Sequence, residues 1–245
     1  MSPAMKVVVI IPAAGLGTRM APAGSTKGRH PSKQFSELGG TPILIHTLRK
    51  FVGSPRVSEV VVALRRDEIV GFQERLHADP TGSLAKKTKL VEGGEHRQHS
   101  VANALAQVAA APDDIVLVHD AVRPFVTPEI IDEVIRGAEK FGAAIAGVPA
   151  IDTIKKVERT ADGALITATI PREHVVMAQT PQGFRYQVLK RAFDEALADG
   201  FMGTDEASLV ERSGHEVAVV MGSPRNIKIT NPSDMELAEF YLSKS

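Results

Sequence analysis

The stretch VVVIIPAAGLGTRM, residues 7–20, decides the fold because it joins a strand pattern to a ligand-binding pattern. Its β-branched residues predict a strand at Lys6–Ile11 that is buried on both faces, as in parallel sheets covered by helices. The run stops at Pro12 and continues with small residues, two glycines and Arg19. A loop of this kind lets backbone N–H groups approach a phosphate or a base edge. We therefore expect a nucleotide-binding loop at the carboxyl end of this first strand.

Strand and helix patterns alternate along most of the chain and predict the α/β class, with a mostly parallel, Rossmann-like sheet and helices on both faces. Strands are predicted at Lys6–Ile11, Glu59–Leu64, Lys89–Val91, Ile115–His119, Ala143–Val148 and Val217–Met221. Helices are predicted at Thr41–Phe51, Glu68–Leu76, Arg97–Ala109, Pro128–Phe141, Tyr186–Leu197 and Pro232–Leu242. Ligands bind beyond the carboxyl ends of such strands. The unusual residues stand there, at Pro12–Arg19, Gly93–Ser100 and Asp120–Pro124.

A predicted hairpin interrupts this alternation. Two strand patterns, Asp152–Glu158 and Leu165–Ile170, are joined by the turn-forming sequence Ala161-Asp162-Gly163. We interpret residues 1–245 as a single domain with a projecting β-arm at residues 150–172.

Composition narrows the function classes. The chain has 29 basic and 29 acidic residues, so it lacks the broadly basic surface that is typical of nucleic-acid binding. It has no cysteine, which excludes disulfides and thiolate chemistry and fits a reducing cytoplasm. The apolar run at residues 7–11 is too short to span a membrane, so we expect no membrane association and no targeting segment.

The glycine loop favours a triphosphate over a dinucleotide. Gly15 and Gly17 match the start of the dinucleotide fingerprint, but Met20 stands where a third Gly or Ala is required. The fingerprint also needs an acidic residue after the second strand, whereas arginines follow Leu64. These departures count against an NAD-dependent oxidoreductase, and the cation Arg19 suits a triphosphate.

Further candidate residues follow, and each also has a structural interpretation. Lys33 comes directly after the Gly-, Pro- and Ser-rich loop at residues 21–32 and could close over an anion as that loop orders. Asp120 and Arg123, after a buried strand, could form an internal ion pair or could face ribose, metal and phosphate. His119 is either a hydrogen-bonded partner or a catalyst.

Two segments nearer the carboxyl terminus have structural interpretations as well. Residues 226–230 predict a short strand in which Lys228 is an edge residue whose stem lies along apolar surface. Thr204-Asp205-Glu206 predicts a helix N-cap with acidic residues in the first turn.

Eight stretches of the chain, taken in order, resemble one enzyme family closely. They are PAAGLGTRM, SKQF, GGEHRQHSV, HDAVRP, DTIK, AQTPQGF, TDEAS and NIKIT, and they span nearly the whole chain. The family is that of the 2-C-methyl-D-erythritol 4-phosphate cytidylyltransferases of the non-mevalonate isoprenoid pathway. The resemblance implies that CTP and the methylerythritol phosphate react to give the CDP-alcohol and pyrophosphate, with Mg²⁺ as the cofactor. It also implies a homodimer formed by exchange of the arms.

By matching position, the resemblance assigns roles to three groups of residues. The cations on the reacting phosphates would be Arg19, Lys33 and Lys228. The nucleotide would be bound by Ala13, Ala14, Gly15, Gly94, Glu95, Ser100 and Asp120. The second substrate would be bound by Arg123, Thr180 and Thr204, together with Thr153 and Arg172 from the partner's arm. Mg²⁺ would be held mainly by the substrate phosphates, with Asp120 as a candidate ligand.

Two other functions remain as alternatives at this stage. A cytidylyltransferase for another polyol phosphate, such as ribitol 5-phosphate, would keep the CTP motifs and change the pocket around Arg123, Thr153 and Arg172. A non-catalytic nucleotide sensor would not need three cations directed at the α-phosphate.

Overall fold

The protein is described by a computed structural model over residues 5–15 and 32–244. The strands are β1 (Val7–Pro12), β2 (Glu37–Leu38), β3 (Thr41–Pro42), β4 (Glu59–Leu64), β5 (Thr88–Glu92), β6 (Ile115–Val118), β7 (Ala143–Pro149), β8 (Ile154–Thr160), β9 (Gly163–Ile170), β10 (Val176–Arg185) and β11 (Ala218–Met221). The helices are α1 (Ile43–Val52), α2 (Ile69–His77), α3 (Ser83–Lys87), α4 (Arg97–Leu105), α5 (Pro128–Phe141), α6 (Tyr186–Ala198), α7 (Glu206–Arg212) and α8 (Pro232–Leu242). Arg19 and residues 21–31 of the predicted loop lie outside the described residues.

The central sheet confirms the predicted α/β class. Its described strands are seven, in the order β11-β7-β10-β6-β1-β4-β5. All neighbouring pairs are parallel except the two that involve β10, which is antiparallel to β6 and to β7. The carboxyl ends of β6, β1, β4 and β5 therefore stand side by side at one edge of the sheet.

Strand β1 is the centre of the core, as its β-branched run predicts. Val7, Val9 and Ile11 pack into the apolar cluster on one face of the sheet, with side chains of α1 and α5. Val8 and Ile10 pack into the cluster on the other face, with side chains of α4 and α6. Burial of such a side chain contributes about 1.5–3 kcal/mol, so both faces of β1 hold helices against the sheet.

Strand β10 was absent from the sequence prediction. Its middle reads Gln179-Thr180-Pro181-Gln182-Gly183, which has neither an apolar run nor an alternating pattern. The strand is nevertheless buried there, because its polar side chains find partners inside the protein. Gln182 donates to Asp205, and Gln179 donates to the carbonyl of Ser223.

Two further predictions are corrected by the structure. The helix expected to reach Ala109 ends at Leu105, because the chain tightens into a turn in which the Gln107 N–H donates to the carbonyl of Ala104. Residues 226–230 join no sheet among the described strands. They are held by a backbone bond from Ile229 N–H to the carbonyl of Val122, and by the buried side chain of Asn226.

The predicted hairpin is present, but its first strand begins and ends two residues later than predicted and its second strand begins two residues earlier. Strands β8 and β9 pair antiparallel as a separate two-stranded sheet, and the turn between them leads into Gly163 with φ +143°. Apolar side chains on this arm, including Val157, Leu165 and Ile166, are exposed. None of the helices in the described part of the chain combines the length and the apolar character needed to cross a bilayer.

Candidate active site

A cavity of about 260 Å³ lies at the carboxyl ends of β1, β5 and β6. Three segments that the sequence singled out meet around it: the small residues after β1, the segment between β5 and α4, and the segment after β6. Its lining consists of Pro12, Ala13, Ala14, Gly15, Lys33, Gln34, Gly94, Glu95, His96, Arg97, Ser100, Asp120, Ala121, Val122 and Lys228. The topology therefore brings together most of the residues predicted for the phosphates and the nucleotide.

The small residues of two loops pack closely at one side of the cavity. The Gly93 N–H donates to the carbonyl of Leu64 at 2.7 Å, and a Cβ at Gly93 would stand 2.5 Å from the Cβ of Ala14. On α4, Ser100 Oγ accepts a hydrogen bond from the Gly94 N–H at 3.0 Å. A larger side chain at Gly93 would push the loops apart, so the glycine permits a fixed, narrow backbone surface that suits a flat base.

Lys33 enters the cavity on a short 3₁₀ turn, residues 33–35. The next residue, Gln34, is buried, and its amide donates to the carbonyl of Ala13 in the first loop. Phe35 packs against Phe72 of α2, with 5.7 Å between the ring centroids. The backbone on the carboxyl side of Lys33 is thereby fixed to the same loop that forms the cavity wall.

Asp120 binds three cations. Its Oδ1 lies 3.2 Å from Arg97 Nε, and its Oδ2 lies 2.9 Å from Lys228 Nζ and 3.3 Å from Arg123 Nε. Burial alone would raise the pKa of this carboxyl, but the three cations lower it far below its ordinary value. Asp120 is therefore ionised at neutral pH, and the three cations leave an excess of positive charge beside the cavity.

Arg97 also binds a second, buried carboxylate. Its Nη1 lies 2.7 Å from Oε1 of Glu206, a residue that is only 1% exposed. Burial raises the pKa of Glu206. Burial opposes the charge on Arg97 too, but Glu206 and Asp120 together raise the pKa of Arg97 above its ordinary value. The guanidinium at the start of α4 is thus held from two sides.

Sequence reasoning missed both Arg97 and Glu206 as site residues. Arg97 stood inside the quoted stretch GGEHRQHSV, between Glu95 and Ser100, which was the available signal. Glu206 follows Asp205, which caps α7 as predicted, by accepting a hydrogen bond from the Ser208 N–H at 3.0 Å. Nothing in that local pattern distinguishes a solvated acidic residue from a buried one.

His119 is a buried support for Asp120. Its Nε2 lies 3.1 Å from the carbonyl of Arg123, so this nitrogen carries the proton. Its Nδ1 then accepts from the hydroxyl of Thr180, at 3.1 Å, and the same hydroxyl oxygen accepts from the Asp120 N–H at 3.0 Å. Burial lowers the pKa of His119 to about 4. The ring is neutral at pH 7, and it orients its neighbours.

Asp120 does not fit the role of a ready-made metal ligand, because both of its oxygens already accept from cations. Within residues 5–15 and 32–244, no group of three or more His, Asp or Glu side chains could hold a metal ion. Mg²⁺ therefore stays a prediction, with the substrate phosphates as its expected ligands.

The remaining predicted site residues lie away from this cavity. Arg123 stands behind Asp120, and its Nη1 donates to the carbonyl of Asn226 at 2.7 Å. Thr204 lines a small neighbouring cavity with Arg97. Thr153 and Arg172 flank the arm, where Arg172 Nη1 donates to a backbone carbonyl at 2.7 Å. Their assigned roles stay predictions.

Comparison with known proteins identifies the family. Residues 7–244 match the family model described as IspD, 2-C-methyl-D-erythritol 4-phosphate cytidylyltransferase. Relatives carrying that enzyme name include one from Acidobacterium capsulatum, 59% identical over 97% of this chain and 98% of the relative. Another comes from Solibacter usitatus, 52% identical over 97% of this chain and 96% of the relative.

Solved structures agree with this assignment. The cytidylyltransferase of the same name from Thermus thermophilus is 35% identical, with a TM-score of 0.75 over 98% of this chain and all of that one. The one from Francisella tularensis is 34% identical, with a TM-score of 0.78 over 96% of this chain and 99% of that one.

His119 makes the stability of the protein pH-dependent. Because its pKa is 6.5 in the unfolded chain and about 4 in the folded protein, the unfolded state binds more protons between these values. The free energy of unfolding should therefore fall by about 3 kcal/mol as the pH drops through this window. Denaturant unfolding at a series of pH values will measure it, with His119→Gln as the comparison. If the free energy of unfolding depended equally on pH in both proteins, His119 would not be the group responsible.

Proposed function

The chain belongs to the 2-C-methyl-D-erythritol 4-phosphate cytidylyltransferase family, and on that premise we propose how its residues perform the reaction. The protein is a nucleotidyltransferase that uses CTP to form 4-diphosphocytidyl-2C-methyl-D-erythritol. The names of the relatives do not favour ribitol 5-phosphate as the second substrate. One observation carries the proposal: Lys33, Arg97 and Lys228 line a single cavity, in which Arg97 and Lys228 also bind the carboxylate of Asp120.

The reaction needs positive charge more than it needs a base. The nucleophile is a phosphate monoester, which is already ionised at neutral pH. One of its oxygens forms a bond to the α-phosphorus of CTP, and the bond from that phosphorus to the bridging oxygen breaks. Pyrophosphate leaves with the electron pair. The barrier arises because two anions must approach, so catalysis consists of positioning and charge neutralisation.

Lys33, Lys228 and Arg19 neutralise the α-phosphate in this proposal. Lys228 is the most exposed of the three cations on Asp120, with 37% of its side chain accessible. It is therefore the one that can turn from Asp120 toward a phosphate, while Arg97 and Arg123 keep the carboxylate in place. Arg19 joins them by family position.

The nucleotide binds along the backbone of the two packed loops. Ala13, Ala14 and Gly94 present fixed backbone groups to the cytosine edge, and the Ser100 hydroxyl sets the position of Gly94. Gly15, Glu95 and Asp120 are expected around the ribose and the phosphates. Since the space between the loops is narrow, it suits a pyrimidine better than a purine. Mg²⁺ would enter with the triphosphate and neutralise part of its charge.

The second substrate binds between subunits in this proposal. Arg123 and Thr204 would contact it from one subunit, and Thr153 and Arg172 from the arm of the partner. Thr180, whose hydroxyl is engaged by Asp120 and His119, acts by positioning Asp120. The exposed apolar side chains of the arm support a homodimer, because folding of one copy leaves them in water. We place the reaction in the cytoplasm, where CTP is available.

The substrate assignment predicts which pairs of reactants turn over. Pyrophosphate release should be rapid with CTP and 2-C-methyl-D-erythritol 4-phosphate, slower with UTP, and near background when ribitol 5-phosphate replaces the second substrate. A coupled pyrophosphate assay measures all three. Equal rates with the two polyol phosphates would overturn the assignment.

Lys33→Ala should lower kcat far more than it weakens CTP binding, because the ammonium acts on charge that develops in the transition state. Loss of one such group raises the activation free energy by about 3–4 kcal/mol. Steady-state kinetics and CTP binding by calorimetry will separate the two effects. A kcat equal to that of the wild type would remove Lys33 from the mechanism.

Sharing of the site between subunits predicts complementation. A mixture of Arg172→Ala and Lys33→Ala subunits should regain activity that neither variant has alone, because a mixed dimer contains one site with both residues intact. The mixture is assayed after subunit exchange, against each homodimer at equal concentration. No regained activity in verified mixed dimers would show that each chain completes its own site.

A further inference from the structure

Three side chains outside the cavity form a cluster at the start of the turn that carries Lys33. Ser32 Oγ donates to Glu68 Oε1 at 2.7 Å, and it accepts from Arg65 Nη2 at 2.9 Å. Arg65 Nη2 also lies 2.5 Å from the same oxygen of Glu68. We call Ser32, Arg65 and Glu68 the clamp.

The clamp is built on the central sheet. Arg65 follows directly on β4, and Glu68 ends the short 3₁₀ turn that begins at Arg66. The Glu68 N–H donates to the carbonyl of Arg65 at 2.9 Å, and Glu68 Oε2 accepts from the Arg65 N–H at 3.3 Å. Backbone and side chains thus lock the pair to the end of a buried strand.

The pair holds Ser32 in a buried position. Ser32 is 1% exposed, and its hydroxyl is satisfied by two charged partners. Hydrogen bonds to charged groups are stronger than those between neutral groups. Loss of either partner would leave a buried polar group without its full set of bonds, which is costly.

Lys33 therefore stands between two fixed residues. On one side Ser32 is held by the clamp, and its carbonyl accepts from the Phe35 N–H at 2.8 Å. On the other side Gln34 is held by the carbonyl of Ala13. A lysine has a long, flexible side chain, and fixing the backbone on both sides restricts where its ammonium group can reach.

We propose that Arg65 and Glu68 are positioning residues for the reaction, and that they act on Lys33 through Ser32. This inference rests on the catalytic role proposed above for Lys33. Neither residue lines the cavity, so neither is expected to touch CTP or the second substrate. Their effect should appear in kcat and only weakly in the KM for CTP.

A double-mutant cycle tests the proposal. Glu68→Ala should lower kcat about tenfold in the wild-type background, by loss of the bonds that hold Ser32. In the Lys33→Ala background the same change should have no further effect, since the group that it positions is gone. A merely structural role would lower kcat by the same factor in both backgrounds, and that result would overturn the proposal.

Control variants separate the remaining outcomes. Arg66→Met removes one positive charge from an exposed neighbour of the clamp and should leave kcat unchanged. Ser32→Ala should lower kcat as Glu68→Ala does. Ser32→Thr keeps the hydroxyl and should therefore retain most of the wild-type kcat. If Glu68→Ala does not fold, as judged by thermal unfolding, the cycle is run with Ser32→Ala. A wild-type kcat in Ser32→Ala would overturn the positioning role proposed for the clamp. A wild-type kcat in Lys33→Ala would instead overturn the catalytic role of Lys33 in the proposed function.

Discussion

The attraction between Asp120 and its three cations is the interaction on which the site depends. Arg97, Arg123 and Lys228 would repel one another at this spacing without the carboxylate between them. Because the carboxylate is buried, desolvation works against its charge, and the bound cations offset that penalty. The same arrangement that satisfies Asp120 therefore concentrates positive charge where a triphosphate would bind.

Neutral groups behind Asp120 keep this arrangement in one geometry. The hydroxyl of Thr180 holds its backbone N–H, and the neutral ring of His119 joins that hydroxyl to the carbonyl of Arg123. A charged histidine here would add a fourth positive group to a buried cluster. Burial of the ring against Phe51, with 4.8 Å between the ring centroids, keeps it uncharged. The backbone of Asp120 is thus supported by neutral groups, while its carboxylate is bound by charged ones.

Local patterns in the sequence were enough to predict the sheet and the edge at which the site forms. The β-branched run of β1 determined its burial on both faces, and small residues after the strands marked the cavity. Strand β10 escaped prediction because its polar side chains are buried through partners far along the chain. The Arg97–Glu206 pair escaped for the same reason, since 109 residues separate its members. Residues 226–230 have the apolar character of a strand, but no neighbouring strand among the described residues pairs with them. The features that could not be predicted are those that depend on contacts between residues far apart in the chain.

The strands at the base of the arm connect the arm to the residues around Asp120. Strands β7 and β10 pair at the base of the arm, where Pro149 stands opposite Val176, and β10 then runs on to Thr180. Strand β10, which begins at the base of the arm, therefore also carries the Thr180 hydroxyl that accepts from the Asp120 N–H. Residues 171–175, which include a 3₁₀ turn at Arg172–His174, connect strand β9 of the arm to β10. A displacement of the arm would therefore act on the segment of chain that supports the backbone of Asp120.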